Sequence, residues 1–471
     1  MREIYIEDTR TGRTQPLKPR DAGRIGIYAC GPTVYSRIHI GNARPFVLFI
    51  LLKRFLEHEG YAVTLVINIT DVNDKIYDAA HRSNPAHPRP SAELAAEMTA
   101  LYKRDTDALG LGRPDHEPLA SQTMNPIVEY IQTLIDRGHA YSVDGDVYFR
   151  VRSDSDYGSL SHRSLEHMDQ GEDDEPHLPE SRPPGSDTPA GSDTPAARKE
   201  DPLDFALWKA RKEGEDTHWP APWGEGRPGW HIECSAMAEQ VLGVGFDIHG
   251  GGSDLVFPHH ENEAAQTRAA RGEELARIWM HNGMIQATGE KMAKSVGNIA
   301  PLHEVTERYG AEAVVMYLIS GHYRQPLAFS PETMEQAQAN VKRIREAARK
   351  LEPGETGDEH LRTFRDGFFA ALANDFNTSA ALAQLNEWLR GAGRLPGVGD
   401  GDLREMLGVL GLESLLEPSA QAPSEVVRLA EERMTVRSLR DYDAADRLRD
   451  EIAALGWEVR DVQGGFELMP L

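Results

Sequence analysis

The sequence predicts an α/β fold followed by a helical region, and three observations carry that reading. Residues 25–69 run strand, helix, strand. The second of those strands, Tyr61 to Ile69, is nearly all apolar, as a parallel strand covered on both faces should be. From about residue 331 the apolar residues recur at helical spacing to near the end of the chain.

The elements follow in order. Ile25 to Cys30 reads as a short buried strand that Gly31-Pro32 ends. From Gly41 onward, Pro45 to Leu52 with Phe55 and Leu56 reads as a core helix. With the strand at 61–69 this makes a βαβ unit, the building block of a nucleotide-binding parallel sheet. Residues 95–140 are helical in period, with Ile127, Tyr130, Ile131, Leu134 and Ile135 on one face. Tyr141 to Phe149 reads as a hairpin with an Asp144-Gly145 turn, and so as part of a domain inserted into the sheet.

Residues 168–200 carry an acidic run, then Gly185 to Ala190 repeated letter for letter as Gly191 to Ala196. This stretch has no large apolar residue after Leu178, so disorder is expected there. Ala371 to Trp388 and Val426 to Leu439 have helical patterning. Asp441 is placed to cap a helix through Ile452 and Leu455 that Gly456 ends. Trp457-Glu458-Val459 and Phe466-Glu467-Leu468 read as two closing strands.

Composition narrows the class. The 471 residues are enough for about three domains, and 40% are hydrophobic. No apolar run approaches a membrane span of about 18 residues, and the start lacks a signal-peptide shape. Two cysteines, Cys30 and Cys234, give no disulfide framework, so a reducing cytoplasm and metal or catalytic use are expected. A net charge of −24 repels phosphates at long range, so any RNA contact needs local basic patches.

Both cysteines belong to a set of four potential zinc ligands. Cys234 lies in Trp230-His231-Ile232-Glu233-Cys234, and His259 and Glu263 follow at i, i+4 spacing. Zinc takes such thiolate, imidazole and carboxylate ligands. Cys30 must reach them from the end of the first strand. His260 rivals His259, on the argument that adjacent residues point different ways.

Three further strings suit a nucleotide. His39-Ile40-Gly41-Asn42 opens a helix after a strand, where N–H groups and the helix dipole favour phosphate. His39 and Asn42 can donate hydrogen bonds, and Gly41 lets an adenine approach the backbone. Lys291-Met292-Ala293-Lys294-Ser295 puts two ammonium groups on a glycine-flanked loop, suited to clamp a leaving pyrophosphate. In His249-Gly250-Gly251-Gly252-Ser253-Asp254 the glycines permit close approach, and Asp254 can accept from ribose hydroxyls.

Together these strings resemble the class I aminoacyl-tRNA synthetases, closest to their cysteine-specific branch. The residues that carry the likeness are Cys30 to Tyr35, the box at 39–42, Asn68-Ile69-Thr70-Asp71, Gly229 to Met237, Phe246 to Asp254, Phe257 to Glu263 and the lysine loop. It spans nearly the whole chain outside 168–200. It implies a Rossmann-like parallel-sheet catalytic domain in two halves, 1–115 and 227–300. An inserted connective domain, 116–226, would split them, and a stem-contact helical region, 301–350, and an α-helical anticodon-binding domain, 351–471, would follow.

The resemblance also implies roles. Zn2+ would be held by Cys30, Cys234, His259 and Glu263 and would bind the thiolate of substrate cysteine. Thr70, Trp230 and His249 would line the amino-acid pocket. His39, Asn42, Lys291 and Lys294 would act in catalysis, with Gly41, Gly251, Asp254 and Lys294 at ATP and its Mg2+. L-cysteine, ATP and tRNA(Cys) would be the partners of a cytoplasmic monomer with no membrane contact. Arg433, Arg437 and Arg440, at i, i+4 and i+7, form a local basic stripe suited to tRNA. Two positions depart from the family pattern: Asn42 stands for the final histidine of the HIGH box, and Ala293 for the serine of the KMSKS loop. Asn42 keeps a donor, and both lysines remain.

Two rival readings share some of these residues. An ATP-dependent cysteine ligase acting on an amino-sugar, as in mycothiol synthesis, would share the catalytic half. The roughly 120 residues after Leu351 argue against it, since a small sugar needs no such domain. A non-catalytic zinc and RNA-binding protein would not need the lysine loop or the 39–42 box.

Overall fold

At the centre lie four parallel strands, in the order Ala276–Asn282, Phe246–Gly252, Arg24–Ala29 and Ala62–Ile67. The computed structural model describes residues 2–83, 89–165, 199–287, 290–291, 300–417, 423–439, 441–462 and 465–470. Most of the acidic segment at 168–200, together with Lys294 and Arg440, lies outside the described residues. The described chain divides into two units, Met1–Leu412 and Glu413–Leu471.

Register decides what meets at the top of the sheet. Ala29 pairs with Ile67 on one side and Gly250 on the other, and His281 pairs with Gly251. The carboxyl ends therefore deliver Cys30, Asn68–Thr70, Gly250–Gly252 and His281–Asn282 to one edge, where ligands bind in open parallel sheets. The helix Ile40–His58 covers one face, burying Phe49, Leu51, Leu52, Phe55 and Leu56 completely.

The expected hairpin is Ala140–Val143 and Asp146–Phe149. Asp144 and Gly145 both have positive φ, 51° and 87°, as a two-residue hairpin loop of the I′ kind requires. Two strands that the sequence reading missed, Phe205–Ala210 and Gly226–Pro228, extend it to a four-stranded antiparallel sheet. The helix Trp230–Leu242 starts right after the last of these. Gly229 makes that junction, because an added Cβ would lie 2.0 Å from the Ala206 carbonyl oxygen.

The run read as helical from Ala371 to Trp388 is broken. Helices Glu359–Ala373 and Thr378–Ala392 are separated by Asp375 and Phe376, both in the left-handed region with φ of 60° and 44°. Tertiary bonds override the local propensity. The Asp375 carboxylate accepts from the Glu7 N–H at 2.9 Å, the Tyr323 hydroxyl at 2.7 Å and the Arg324 guanidinium, and its own N–H donates to Tyr5. The first unit continues past residue 351 because these helices pack back on the sheet domain. His58 stacks on Phe369 at 4.2 Å, and Arg54 donates to the Gly408 carbonyl at 2.8 Å.

In the second unit, helices Ser424–Ser438 and Tyr442–Ala454 pack on a two-stranded sheet, Trp457–Val462 and Gly465–Pro470. Asp441 caps the second helix through Ala444 N–H at 3.1 Å, as its position in the sequence predicts. Val426, Leu429, Ile452, Trp457 and Val459 form the core.

Gly250 generates a test of the sheet–helix contact. A Cβ there would lie 1.9 Å from the Phe49 ring. Gly250→Ala is expected to cost about 1–3 kcal/mol in urea unfolding through overpacking. Phe49→Leu in the same chain should recover part of that loss, a coupling the double-mutant cycle reads directly.

Candidate active site

Three elements bring the four ligand candidates together. Cys30 follows the first core strand, Cys234 lies in the first turns of the helix Trp230–Leu242, and His259 and Glu263 enter and open the helix Glu261–Arg271. One ligand atom from each lies within 4.8 Å of all the others, and every one of these residues is buried. The Cys30 and Cys234 sulfurs are 3.8 Å apart, Cys30 Sγ is 3.7 Å from Glu263 Oε1, and His259 Nε2 is 3.0 Å from the same oxygen. Two thiols, an imidazole and a carboxylate suit zinc, whereas magnesium and calcium take oxygen ligands.

His259 and His260 each belong to a different donor set. Both face Glu263, at i, i+4 and i, i+3, since both spacings fall on one side of a helix. His260 Nε2 lies 3.3 Å from Cys30 Sγ. A second donor set, Cys30, His249, His260 and Glu263, overlaps the first at Cys30 and Glu263.

Charge in this pocket is held by mutual contact. Burial would raise the Glu263 carboxyl, but His259 and His249 outweigh it and hold the group at about 2. Burial would lower His259, yet Glu263 and Cys234 raise it to about 10. Burial pushes the Cys30 thiol up; Cys234, despite its own burial, comes down to about 6 because Cys30 donates to it and His259 is cationic. Sequence reasoning gave no role to two more histidines here, His231 and His281. His231 Nδ1 lies 2.9 Å from His259 Nδ1. His260 Nδ1 meets His281 Nε2 at 2.6 Å, and His281 Nδ1 meets the Thr9 hydroxyl at 2.8 Å. Only the long-range pairing of the strands brings His281 here, so nothing in the local sequence signals it.

Two of the three residues assigned to the amino-acid pocket, Trp230 and His249, touch this cluster. Trp230 stacks on His259 at 4.0 Å. His249, fully buried, binds Glu263 Oε2 through Nε2 at 2.8 Å. Thr70 is buried, and its hydroxyl accepts from Asn68 Nδ2 at 3.3 Å, while Asn68 Oδ1 accepts from Gly31 N–H at 2.9 Å.

The nucleotide strings converge nearby on the same edge. His39 is the N-cap of the helix Ile40–His58: its Nδ1 accepts from Gly41 N–H at 3.1 Å, and Asn42 Oδ1 accepts from His39 N–H at 3.2 Å. Asn42 is exposed, with its amide nitrogen not committed to the cap. Gly41 serves the cap first, because a Cβ would lie 2.8 Å from the His39 ring. Ala300, which follows the lysine loop, accepts from Ile40 N–H at 3.0 Å, so the chain returns from that loop beside His39. Gly251 is buried against His260 and Leu255, and Asp254 is exposed just past the strand. Gly250 answers to Phe49, so that glycine reflects packing.

The basic stripe does not present itself as expected. Arg433 is buried and donates to Asp461 Oδ1 at 2.8 Å, and Arg437 pairs with the other oxygen of the same carboxylate. Asp461, on the closing strand, holds Arg433 in a buried position, while Arg437 remains exposed.

Comparison with known proteins places this arrangement in a family. Residues 16–339 match the model of the class I (C) tRNA synthetase catalytic domain. A curated cysteine--tRNA ligase of Caldicellulosiruptor saccharolyticus is 40% identical, covering 99% of this chain and 99% of the relative. Another, of Alkalilimnicola ehrlichii, is 43% identical over 97% and 98%. Among solved structures, Mycobacterium tuberculosis methionyl-tRNA synthetase with methionyl-adenylate aligns with a TM-score of 0.55 at 16% identity, covering 82% of this chain and 88% of that one. An Agrobacterium radiobacter LeuRS-tRNA-LeuAMS complex reaches 0.58 at 12% identity, covering 96% of each chain. Those two likenesses carry the fold alone; the curated relatives and the catalytic-domain match carry the family, and the chain belongs to the class I aminoacyl-tRNA synthetases, among the cysteine--tRNA ligases.

Proposed function

We propose that this chain activates L-cysteine with ATP to cysteinyl-adenylate and pyrophosphate, then transfers the cysteinyl group to the 3′ end of tRNA(Cys). One observation supports this above all: a buried Cys/Cys/His/Glu set lies on the same sheet edge as a helix N-terminus capped by His39. A soft-metal site for a thiol and an anion site for a polyphosphate then serve one reaction. Among the described residues no helix is long and apolar enough to cross a membrane. A monomer in the cytoplasm, with Mg2+ accompanying the ATP, completes the reading.

The chemistry needs no protein nucleophile. The cysteine carboxylate attacks the α-phosphate of ATP, and pyrophosphate leaves; positioning and charge stabilisation supply the rate. Zinc held by Cys30, Cys234, His259 and Glu263 would supply a soft Lewis-acid contact that favours sulfur over the hydroxyl of serine. Trp230, Thr70 and His249 orient the amino acid. The first-turn N–H groups of the helix at Ile40, with His39 and Asn42, meet the phosphates, and Lys291 and Lys294 stabilise the departing pyrophosphate. A ribose hydroxyl of the tRNA 3′ end then attacks the adenylate carbonyl, and AMP leaves.

Cysteine-dependent exchange of pyrophosphate into ATP tests the first step, and acceptor choice tests the second. Exchange followed by charging of tRNA(Cys) is the expected result; charging of an amino-sugar instead would favour the ligase reading. Cys234→Ala and His259→Ala should lose bound zinc, measured by metal analysis, and raise KM for cysteine far more than for ATP. Full zinc content with unchanged cysteine KM in both variants would remove the site. Lys294→Ala should lower kcat of exchange by about 10²–10³-fold, the usual weight of one such donor. Wild-type exchange in that variant would exclude the role.

A further inference from the structure

Arg44 is a buried cation that no carboxylate pairs with among the described residues. It lies two residues beyond Asn42 in the helix Ile40–His58 and is 2% exposed. A buried guanidinium without an anion is costly to keep, and its usual remedy is a carboxylate. Arg44 instead uses its fork on two backbone carbonyls from different segments. Nη1 donates to the Gly283 carbonyl and Nη2 to the His322 carbonyl at 3.4 Å, while Nε has no partner. Burial draws the group down to about 10, which leaves it charged at neutral pH.

The place where these carbonyls meet has a definite construction. Gly283 follows the strand Ala276–Asn282 and leads into Ile285–Ala287, the first strand of the hairpin that reaches Lys291. Its N–H donates to the Tyr323 carbonyl at 2.8 Å, and a Cβ on it would lie 2.5 Å from the Gln325 backbone. Two chain segments therefore cross in close contact, and the Arg44 fork reaches both from the nucleotide-facing helix. On the far side of the crossing, Tyr323 and Arg324 bind Asp375.

We propose that Arg44 is a positioning residue for ATP activation: its two-carbonyl clamp fixes the helix start that carries His39 and Asn42 against the root of the hairpin that carries Lys291. The inference rests on the synthetase reading above and extends it. A planar fork can hold two carbonyls where a lysine ammonium, a single point, does not reproduce the geometry. Charge alone is then insufficient, and the effect falls on the nucleotide half of the reaction.

The test is cysteine-dependent pyrophosphate exchange by the full-length, zinc-loaded wild type, Arg44→Lys and Arg44→Met, each assayed well below its own Tm. The clamp predicts that both variants melt cooperatively and that kcat/KM for ATP falls about 10- to 100-fold, the usual cost of a small misplacement. KM for cysteine should stay within about twofold, because the amino-acid pocket is untouched. In a third variant, Arg44→Ala, guanidinium ion at low millimolar concentration should restore part of the exchange rate without moving its Tm. If Arg44→Lys or Arg44→Met keeps the wild-type kcat/KM for ATP, the clamp is refuted. Equal losses for ATP and cysteine, or failure of all variants to fold, would assign Arg44 to the scaffold and overturn the proposal. Absence of exchange by the wild type would sink the activation reading and this inference with it, whereas wild-type exchange retained in the variants sinks this inference alone.

Discussion

A carboxylate with no access to water organises the centre of this protein. Glu263 is fully buried and touches His249 through one oxygen and His259 through the other, with Cys30 against the second of these. An isolated charge there would cost several kcal/mol, so its partners must be held in place. They come from three different elements: the strand end before Gly31, the strand Phe246–Gly252 and the kinked approach to the helix Glu261–Arg271. Satisfying Glu263 therefore fixes the top of the sheet. The same requirement suits the pocket to a metal, because a cluster of thiolate and carboxylate can exchange the proton on His259 for a cation.

Part of this was legible in the sequence, and the reasons are physical. The alternation of apolar strand, glycine break and apolar core helix is local, so the elements around 25–69 could be read directly. The His259–Glu263 pair is also local, since helical spacing alone puts both on one side. Other features depend on pairing between segments well separated along the chain. His281 enters the site only because its strand is in register with Gly251. Asp375 has a left-handed backbone only because Glu7, Tyr323 and Arg324 claim its carboxylate. No local pattern contains that information, and the helical period of the flanking residues hides the break.

Glycine taught the same distinction in another form. Gly41, Gly229 and Gly250 all lie in strings that suggest a ligand, and each also meets a protein group where a Cβ would clash: the His39 ring, the Ala206 carbonyl and the Phe49 ring. Tight packing behind a site and close approach in front of it ask for the same residue. A glycine-rich string thus marks where elements cross, and the ligand follows because crossing strand ends and helix starts is what builds a pocket.

The acidic character of the chain sharpens what the nucleotide-facing helix must do. With 75 acidic residues against 51 basic ones, carboxylates are the commonest available partners for a cation. Yet the first turn of the helix Ile40–His58 contains none, although acids are favoured at that position by the helix dipole. Arg44, one turn in, likewise meets carbonyl dipoles and, among the described residues, no anion. A carboxylate at either place would stabilise the helix and also cancel the positive field at its start. Leaving the dipole and the guanidinium uncompensated keeps that field for an incoming polyphosphate, at the expense of the helix itself. The local stability forgone here and the burial of Arg44 are therefore one feature, and both follow from reserving this end of the sheet for a negatively charged ligand.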